Sequence, residues 1–305
     1  MRIIRDLHQA NIGRATILTI GAFDGLHLGH QELLRRLIRR ARQTERISAV
    51  LTFDPLPQTV LEPARNSICL TTVEDKIRLL EQWGLDLLVI LPFTEEVAHT
   101  SARDFVQMLC EHLRMTELWV GWDFALGHGR TGNVSTLKKL GQAMGFHLHV
   151  IEPVSDGEVV ISSTEIRNLI ADGRVREAAE MLGRYHQLRG LVVPGEGRGK
   201  QLGFPTANLQ VPHHCAVPAM GVYAAYATIK GKRYPAVVNI GFRPTFGAGE
   251  RTVEVHLLEF YGDLYGEETH IQFVERLRAE RRFPNAEALC VQIEKDIAKA
   301  REILQ

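Results

Sequence analysis

The chain has no net charge: 36 Lys and Arg balance 36 Asp and Glu over 305 residues. A balanced surface offers no global electrostatic reason to bind nucleic acid or a membrane. Neither is expected as a partner. Cysteine is scarce, four residues in all, and Cys69, Cys110, Cys215 and Cys290 stand far apart. With no CxxC pair, the spacing excludes a zinc ribbon or a thioredoxin-type motif. Long apolar runs are missing too. Stretches such as LDLLVILPF, from Leu85, fall well short of the roughly 20 residues a bilayer-spanning helix needs. The opening MRIIRDLHQ has no signal-peptide apolar core. A cytoplasmic protein with reduced thiols is the expectation. No internal repeat and no low-complexity segment is visible.

What remains is a normal globular mixture, 45% hydrophobic and 24% charged, long enough for two domains. The run LLRRLIRRARQ is locally basic. Its arginine pairs recur at helical spacing, so a solvated helix face is a plainer reading than a polyanion site.

The chain has two rhythms. In the first half, nearly all-apolar strand-like segments (ATILTIG, ISAVLTFD, LDLLVILPF, ELWVGWDF, HLHVIEPV) alternate with helical ones (HQELLRRLIRRARQ, TVEDKIRLLEQWG, SARDFVQMLCEHL, VSTLKKLGQAMG). This pattern predicts a buried parallel sheet with helices on both faces. Ligands in such sheets bind beyond the carboxyl ends of the strands. After VREAAEMLGRYHQLRG the apolar stretches become short and β-like, separated by Gly and Pro. An antiparallel barrel or sandwich is expected there. GKR, from Gly231, reads as a hairpin turn, and NAEALCVQIEKDIAKAREIL as one closing helix. The boundary falls near Gly183, giving domains of 1–183 and 184–305.

At the first strand end stands GAFDGLHLGH, from Gly21. Gly21, Gly25 and Gly29 let backbone approach a ligand closely. His27 and His30, three apart as a helix begins, can face the same way. A helix start with unpaired N–H groups suits a phosphate, and imidazoles suit a phosphoryl group gaining charge. No GK[ST] follows, so this is not a Walker loop. The plain alternative is a glycine-rich turn with two surface histidines. ISSTEIR, residues 161–167, also follows a strand. Ser162, Ser163 and Thr164 form an N-cap cluster with Arg167 one turn in, or simply a helix cap and a surface arginine.

In the second half, GEGRGKQLGFPTANL spans residues 195–209. Its glycines, among them Gly197, Gly199 and Gly203, make a loop able to fold over phosphates, with Arg198 and Lys200 adding positive charge. Thr206 and Asn208 share one side if extended and offer hard oxygens suited to Mg²⁺. A flexible hairpin with a proline turn is the alternative. In TVEVHLLEF, Glu254 and His256 share a strand face opposite Val253, Val255 and Leu257. Glu254 is either a solvent-facing glutamate or the acceptor for a hydroxyl proton in phosphoryl transfer.

Together these motifs resemble known families. The HxGH and ISSTxxR pair is that of the nucleotidyltransferase superfamily. TIGAFDGLHLGH, TFDPLP (52–57) and GWDFALGHGRTGN (121–133) look like the N-terminal module of bacterial bifunctional riboflavin kinase/FMN adenylyltransferases. GFPTAN, GVYAA, NIGFRPTFG, VEVHLLEF and DLYG follow in the order of the riboflavin kinase module. The family has a histidine where Leu56 stands and an arginine–phenylalanine pair where Ala125 and Leu126 stand.

The resemblance implies an α/β, Rossmann-like nucleotidyltransferase domain with a parallel sheet, followed by an antiparallel β-barrel kinase domain with a closing helix. It implies ATP, riboflavin, FMN and FAD as substrates and products, with Mg²⁺ accompanying ATP. By the same resemblance Thr206 and Asn208 hold Mg–ATP, and Glu254 is the catalytic base. Gly21, Phe23, Asp24, Gly29, His27 and His30, with Ser163, Thr164 and Arg167, surround the second ATP. Arg278, Glu280 and Phe283 belong to a flavin-binding flap. Asp123 either aids flavin or metal placement or caps its loop. Two other readings are a kinase with an impaired transferase half and a non-catalytic flavin store or sensor.

Overall fold

The computed structural model describes residues 1–62, 68–157, 159–195, 197–243 and 250–305. Its backbone divides into two compact units, Met1–Ser162 and Ser163–Gln305.

The first unit is built on six parallel strands: β1 (Arg2–Ile4), β2 (Thr16–Ile20), β3 (Ile47–Phe53), β4 (Leu87–Leu91), β5 (Met115–Gly121) and β6 (His147–Ile151). They lie in the order β1-β4-β3-β2-β5-β6. β2 and β4 are buried at every position, as a parallel sheet covered on both faces requires. Ile17, Val50 and Leu88 pack against Leu34 and Leu37 of α1 (Leu28–Gln43) and Leu80 of α2 (Val73–Gln82). Leu18, Leu51 and Val89 pack on the other face, against Leu109 of α3 (Ala102–Leu113) and Leu137 of α4 (Val134–Met144). Local chemistry starts these helices where it should. Thr72, Ser101 and Asn133 each accept the N–H three residues on, and Gly145 ends α4 at φ 82°. From β2 the chain runs to β3 and β4 on one side, then returns to place β5 on the other. The strand order therefore reverses at β2, and the crevice at its carboxyl end is where open α/β sheets bind ligands.

The second unit opens with α5 (Ser163–Ala171) and α6 (Val175–Leu182). Six antiparallel strands follow: β7 (His186–Val193), β8 (Ala207–Gln210), β9 (Gly221–Ile229), β10 (Lys232–Arg243), β11 (Glu250–Leu257) and β12 (Glu268–Ala279). They close as a barrel in the order β7-β8-β11-β10-β9-β12. Leu188, Tyr223, Val238, Val255, Ile271 and Phe273 fill its interior. A four-residue helix, α7 (Arg198–Gln201), lies between β7 and β8. The closing helix, α8 (Ala286–Ile303), packs Ala300 against Val222, Ala224 and Val237.

Residues 163–182 cluster with the second unit, and Val175 lies in the barrel's core cluster. One detail differs from the sequence reading. The hairpin turn is Lys230–Gly231, one residue earlier than GKR, because Ile229 pairs with Lys232. Both turn residues are left-handed, φ 50° and 77°, the geometry that matches the twist of the flanking strands.

Candidate active sites

The turn after β2 is tightly coiled. Phe23, Gly25 and Leu26 all have positive φ (48°, 79° and 43°), which brings His27 to the N-cap of α1. The His27 and His30 rings stack with centroids 3.7 Å apart, and Phe23 lies 5.0 Å from His30. A Cβ at Gly29 would lie 3.2 Å from the His27 ring, and one at Gly21 would lie 3.1 Å from the Phe23 ring. Both glycines thus make room for the aromatic stack. The Ile161 carbonyl, near the end of the same unit, lies 4.0 Å from that same Gly29 position. The stack sits at the start of a helix, at the sheet's switch point, where helix N–H groups and imidazoles can meet an anion.

Asp24 is only 3% exposed, and its carboxylate accepts the N–H groups of Leu70 (2.8 Å) and Thr71 (3.2 Å). It anchors the turn from within. Ser163, Thr164 and Arg167 occupy the first turns of α5, in the second unit, with Arg167 3.4 Å from the Thr164 hydroxyl. Asp123 is exposed beyond the carboxyl end of β5, and Arg130 donates to its backbone carbonyl at 3.2 Å. Lys76 was not singled out by sequence, although it shares an apolar helical stripe with Val73, Ile77 and Leu80. It is buried, donating to the Ala22 carbonyl at 2.7 Å and to the Thr52 hydroxyl at 3.1 Å. Burial pushes its pKa down, against the pull of Asp24, Asp54 and Cys69.

On the barrel, strand register assembles a second group. Glu254 on β11 lies directly across from Asn208 of β8 on one side and Asn239 of β10 on the other. Val253 and Val255 are buried while Glu254 and His256 are only partly so, as strand alternation requires. The His256 ring holds the Pro205 carbonyl at 2.8 Å. A Cβ at Gly195 would overlap the Asn208 amide, and one at Gly199 would lie 3.1 Å from the Thr206 hydroxyl while overlapping the Phe204 carbonyl. Gly195 and Gly199 therefore lie directly against the Asn208 amide and the Thr206 hydroxyl. Gly197 and Gly203 take φ 70° and 89°. Lys200 is exposed on α7, and the side chain of Arg198 lies outside the described residues.

Residues 9–165 match the family described as FAD synthetase, and residues 182–304 match riboflavin kinase. A bifunctional riboflavin kinase/FMN adenylyltransferase of Escherichia coli (strain K12) is 36% identical over 99% of this chain and 97% of its own. One from Pseudomonas fluorescens is 37% identical, over 99% and 98%. The chain belongs to the bifunctional riboflavin kinase/FMN adenylyltransferase family.

A crystal structure titled macrolide-efflux protein, from Streptococcus pneumoniae, shares the fold over 98% of both chains, with TM-score 0.92 and 30% identity. No helix among the described residues of this family member is long and apolar enough to cross a membrane. Its departures from the family pattern lie outside the two groups above. Leu56 occupies the N-cap position of a short helix, Pro57–Leu61, without capping it by a side-chain hydrogen bond, and Ala125 and Leu126 pair with Asn133 and Gly132 in a two-residue ribbon. Arg278, Glu280 and Phe283, expected from sequence to contact a flavin, are tied to neighbouring elements of the barrel unit. Arg278 forms an ion pair with buried Asp296 of α8 at 2.9 Å and lies 5.5 Å from the Phe283 ring centroid. Glu280 reaches over β10, its Oε1 3.0 Å from a Cβ position on Gly241. Asn239 and Asp296 escaped the sequence reading because each takes its place only through a strand or helix distant in sequence. The RPTFG part of its motif falls within 243–247, and residues 244–249 lie outside the described residues.

Proposed function

We propose that this chain phosphorylates riboflavin to FMN with ATP in its barrel, within residues 184–305, and adenylylates FMN with a second ATP within residues 1–183, giving FAD and pyrophosphate. The reading is carried by one chain holding two separate anion-competent groups. They are the stacked His27–His30 pair at a helix start and the Asn208–Glu254–Asn239 row beside a glycine loop.

In the barrel, Glu254 accepts the proton of the ribityl 5′-hydroxyl as that oxygen attacks the γ-phosphorus, and ADP leaves. Asn208 and Asn239 flank the carboxylate. Gly197, Gly199 and Gly203 lie over the phosphates, with Arg198 and Lys200 adding charge. The Thr206 hydroxyl and Asn208 amide oxygen are hard donors that fit Mg²⁺, and the missing side chains at Gly195 and Gly199 leave them room. A divalent ion there neutralises charge on the phosphates. Arg278, Glu280 and Phe283 contact the flavin. Most of the rate enhancement comes from positioning.

Within residues 1–183, the FMN phosphate attacks the α-phosphorus and pyrophosphate leaves. With a second pKa of about 6, that phosphate is already largely ionised near neutral pH and needs no base. His27, His30 and the start of α1 stabilise the growing charge. Gly21, Phe23, Asp24 and Gly29 shape the turn. Ser163, Thr164 and Arg167 hold the β,γ-phosphates, and Asp123 aids flavin placement. Losing one such donor costs about 3 kcal/mol, a hundredfold or more in rate. The same reading places the enzyme in the cytoplasm.

The test supplies riboflavin, ATP and Mg²⁺ and separates the flavins by chromatography. His30→Ala is expected to abolish FAD formation and spare FMN formation. Glu254→Ala does the reverse when FMN is supplied. FMN alone from the wild type would instead indicate an impaired transferase half, and no product a flavin store. Equal loss of both activities in either folded variant contradicts two sites.

A further inference from the structure

We infer that Lys76 is a positioning residue for adenylyl transfer: from beneath the turn it locks the Ala22–Phe23 peptide so that the Phe23 N–H, not the Ala22 carbonyl, faces the triphosphate. The inference rests on the transferase reading above.

Lys76 is 2% exposed and reaches the turn from α2. The Ala22 carbonyl accepts from its ammonium at 2.7 Å and from the Thr52 hydroxyl at 3.1 Å. The ammonium also donates to that hydroxyl at 3.1 Å, so the three groups close a triangle. Across a trans peptide the C=O and N–H point opposite ways. Holding the Ala22 carbonyl inward therefore turns the Phe23 N–H out of the core.

This orientation is not the one Phe23 prefers. Its φ is 48°, a left-handed conformation that a bulky side chain rarely adopts. Turning the peptide over by half a rotation would bring φ to about −130°, out of the left-handed range. The turned-over peptide would then offer a carbonyl oxygen to the phosphates in place of a donor. The strain in Phe23 thus pushes towards the wrong orientation, and the buried ammonium opposes it. The segment before α2 grips the same turn a second time, since Asp24 accepts the Leu70 and Thr71 N–H groups. Residues 70–76 hold the turn on both sides of Phe23, and the carboxylates of Asp24 and Asp54 offset the buried charge. Strain of this kind, held by surrounding structure at a ligand-facing turn, is the usual mark of preorganisation.

The experiment compares wild type, Lys76→Met, Phe23→Gly and the double variant in FMN adenylylation. FMN formation from riboflavin by the same samples serves as an internal control. Lys76→Met is expected to raise the KM for ATP about tenfold, with the KM for FMN and the kinase rate within about twofold of wild type. Glycine carries no strain at φ 48°, so in the Phe23→Gly background the cost of Lys76→Met falls by about threefold or more. An unchanged KM for ATP in Lys76→Met, or the same penalty in both backgrounds, overturns the lock and leaves Lys76 a packing residue. If Lys76→Met fails to fold, Lys76→Gln is read by the same criteria. A wild type that makes no FAD would sink the transferase reading, which is a different outcome from either.

Discussion

His186 is fully enclosed in the barrel unit, its Nε2 donating to the Ala216 carbonyl at 2.7 Å, its ring stacked on Phe273. Burial pushes its pKa down to about 4, with the Ala216 carbonyl pulling weakly the other way. The unfolded chain takes up this proton near pH 6.5, the folded chain only near 4. Stability is therefore lost as pH falls through that window and levels off below it, by up to about 3 kcal/mol. A urea titration of the barrel at pH 7 and pH 4.5 is expected to show the drop, and His186→Gln to flatten it. An unchanged slope in His186→Gln assigns the acid sensitivity elsewhere. Glu117 works in the same direction at lower pH. Burial pushes its carboxyl up, but hydrogen bonds from Arg40 and Trp119 and the Arg40 charge hold it below its usual value. Its contribution is present above the ordinary carboxylate range and disappears as acid protonates it. Arg40, read from sequence as part of a solvated basic face, is thereby committed to a structural ion pair at 3.0 Å.

At the level of elements, each site is a loop held against a strand end or strand face. The glycine loop is the sharper case. A Cβ at Gly195 overlaps the Asn208 amide, whereas one at Gly203 meets nothing within 4 Å. Gly195→Ala should displace the amide that lies across from Glu254 and cut FMN formation by about tenfold or more, a cost of about 1.4 kcal/mol. FAD formation from supplied FMN should stay within about twofold of wild type. Gly203→Ala is strained at φ 89° but clashes with nothing, so its kinase loss should be smaller. The reverse ranking in steady-state rates would mean that the loop does not close on Asn208. The sheet unit shows the same logic in another form. Its turn follows β2, the strand at which the order reverses, so the crevice arises from topology and the glycines only shape it.

For the molecule as a whole, two reactions in one chain imply two triphosphate sites that saturate independently. Calorimetry with a non-hydrolysable ATP analogue and Mg²⁺ is expected to find two sites per chain, and one in a chain carrying Gly195→Ala if the displaced amide abolishes binding at the barrel. A wild-type stoichiometry of one contradicts the bifunctional reading, whichever activity survives. The division of labour follows from the architecture. A parallel sheet concentrates ligand groups at strand ends, and a closed barrel presents them in rows across strands.

Much of this was legible in the residues alone. The alternation of apolar strands and amphipathic helices, the change of rhythm before the barrel and the closing helix all depend on periodicities a few residues long. So do HLGH, ISSTEIR and PTAN, whose chemistry is local in the chain. Asn239, Lys76 and Asp296 were not legible. Asn239 meets Glu254 only through the register of β10 on β11, and Lys76 meets Ala22 only because α2 packs beneath the end of β2. Asp296 meets Arg278 across the gap between a strand and the closing helix. Sequence determined which segments become strands and helices, because backbone preference and side-chain period are local. Tertiary structure alone decided which distant polar groups face one another, because pairing order and register are set by the packing of the whole core.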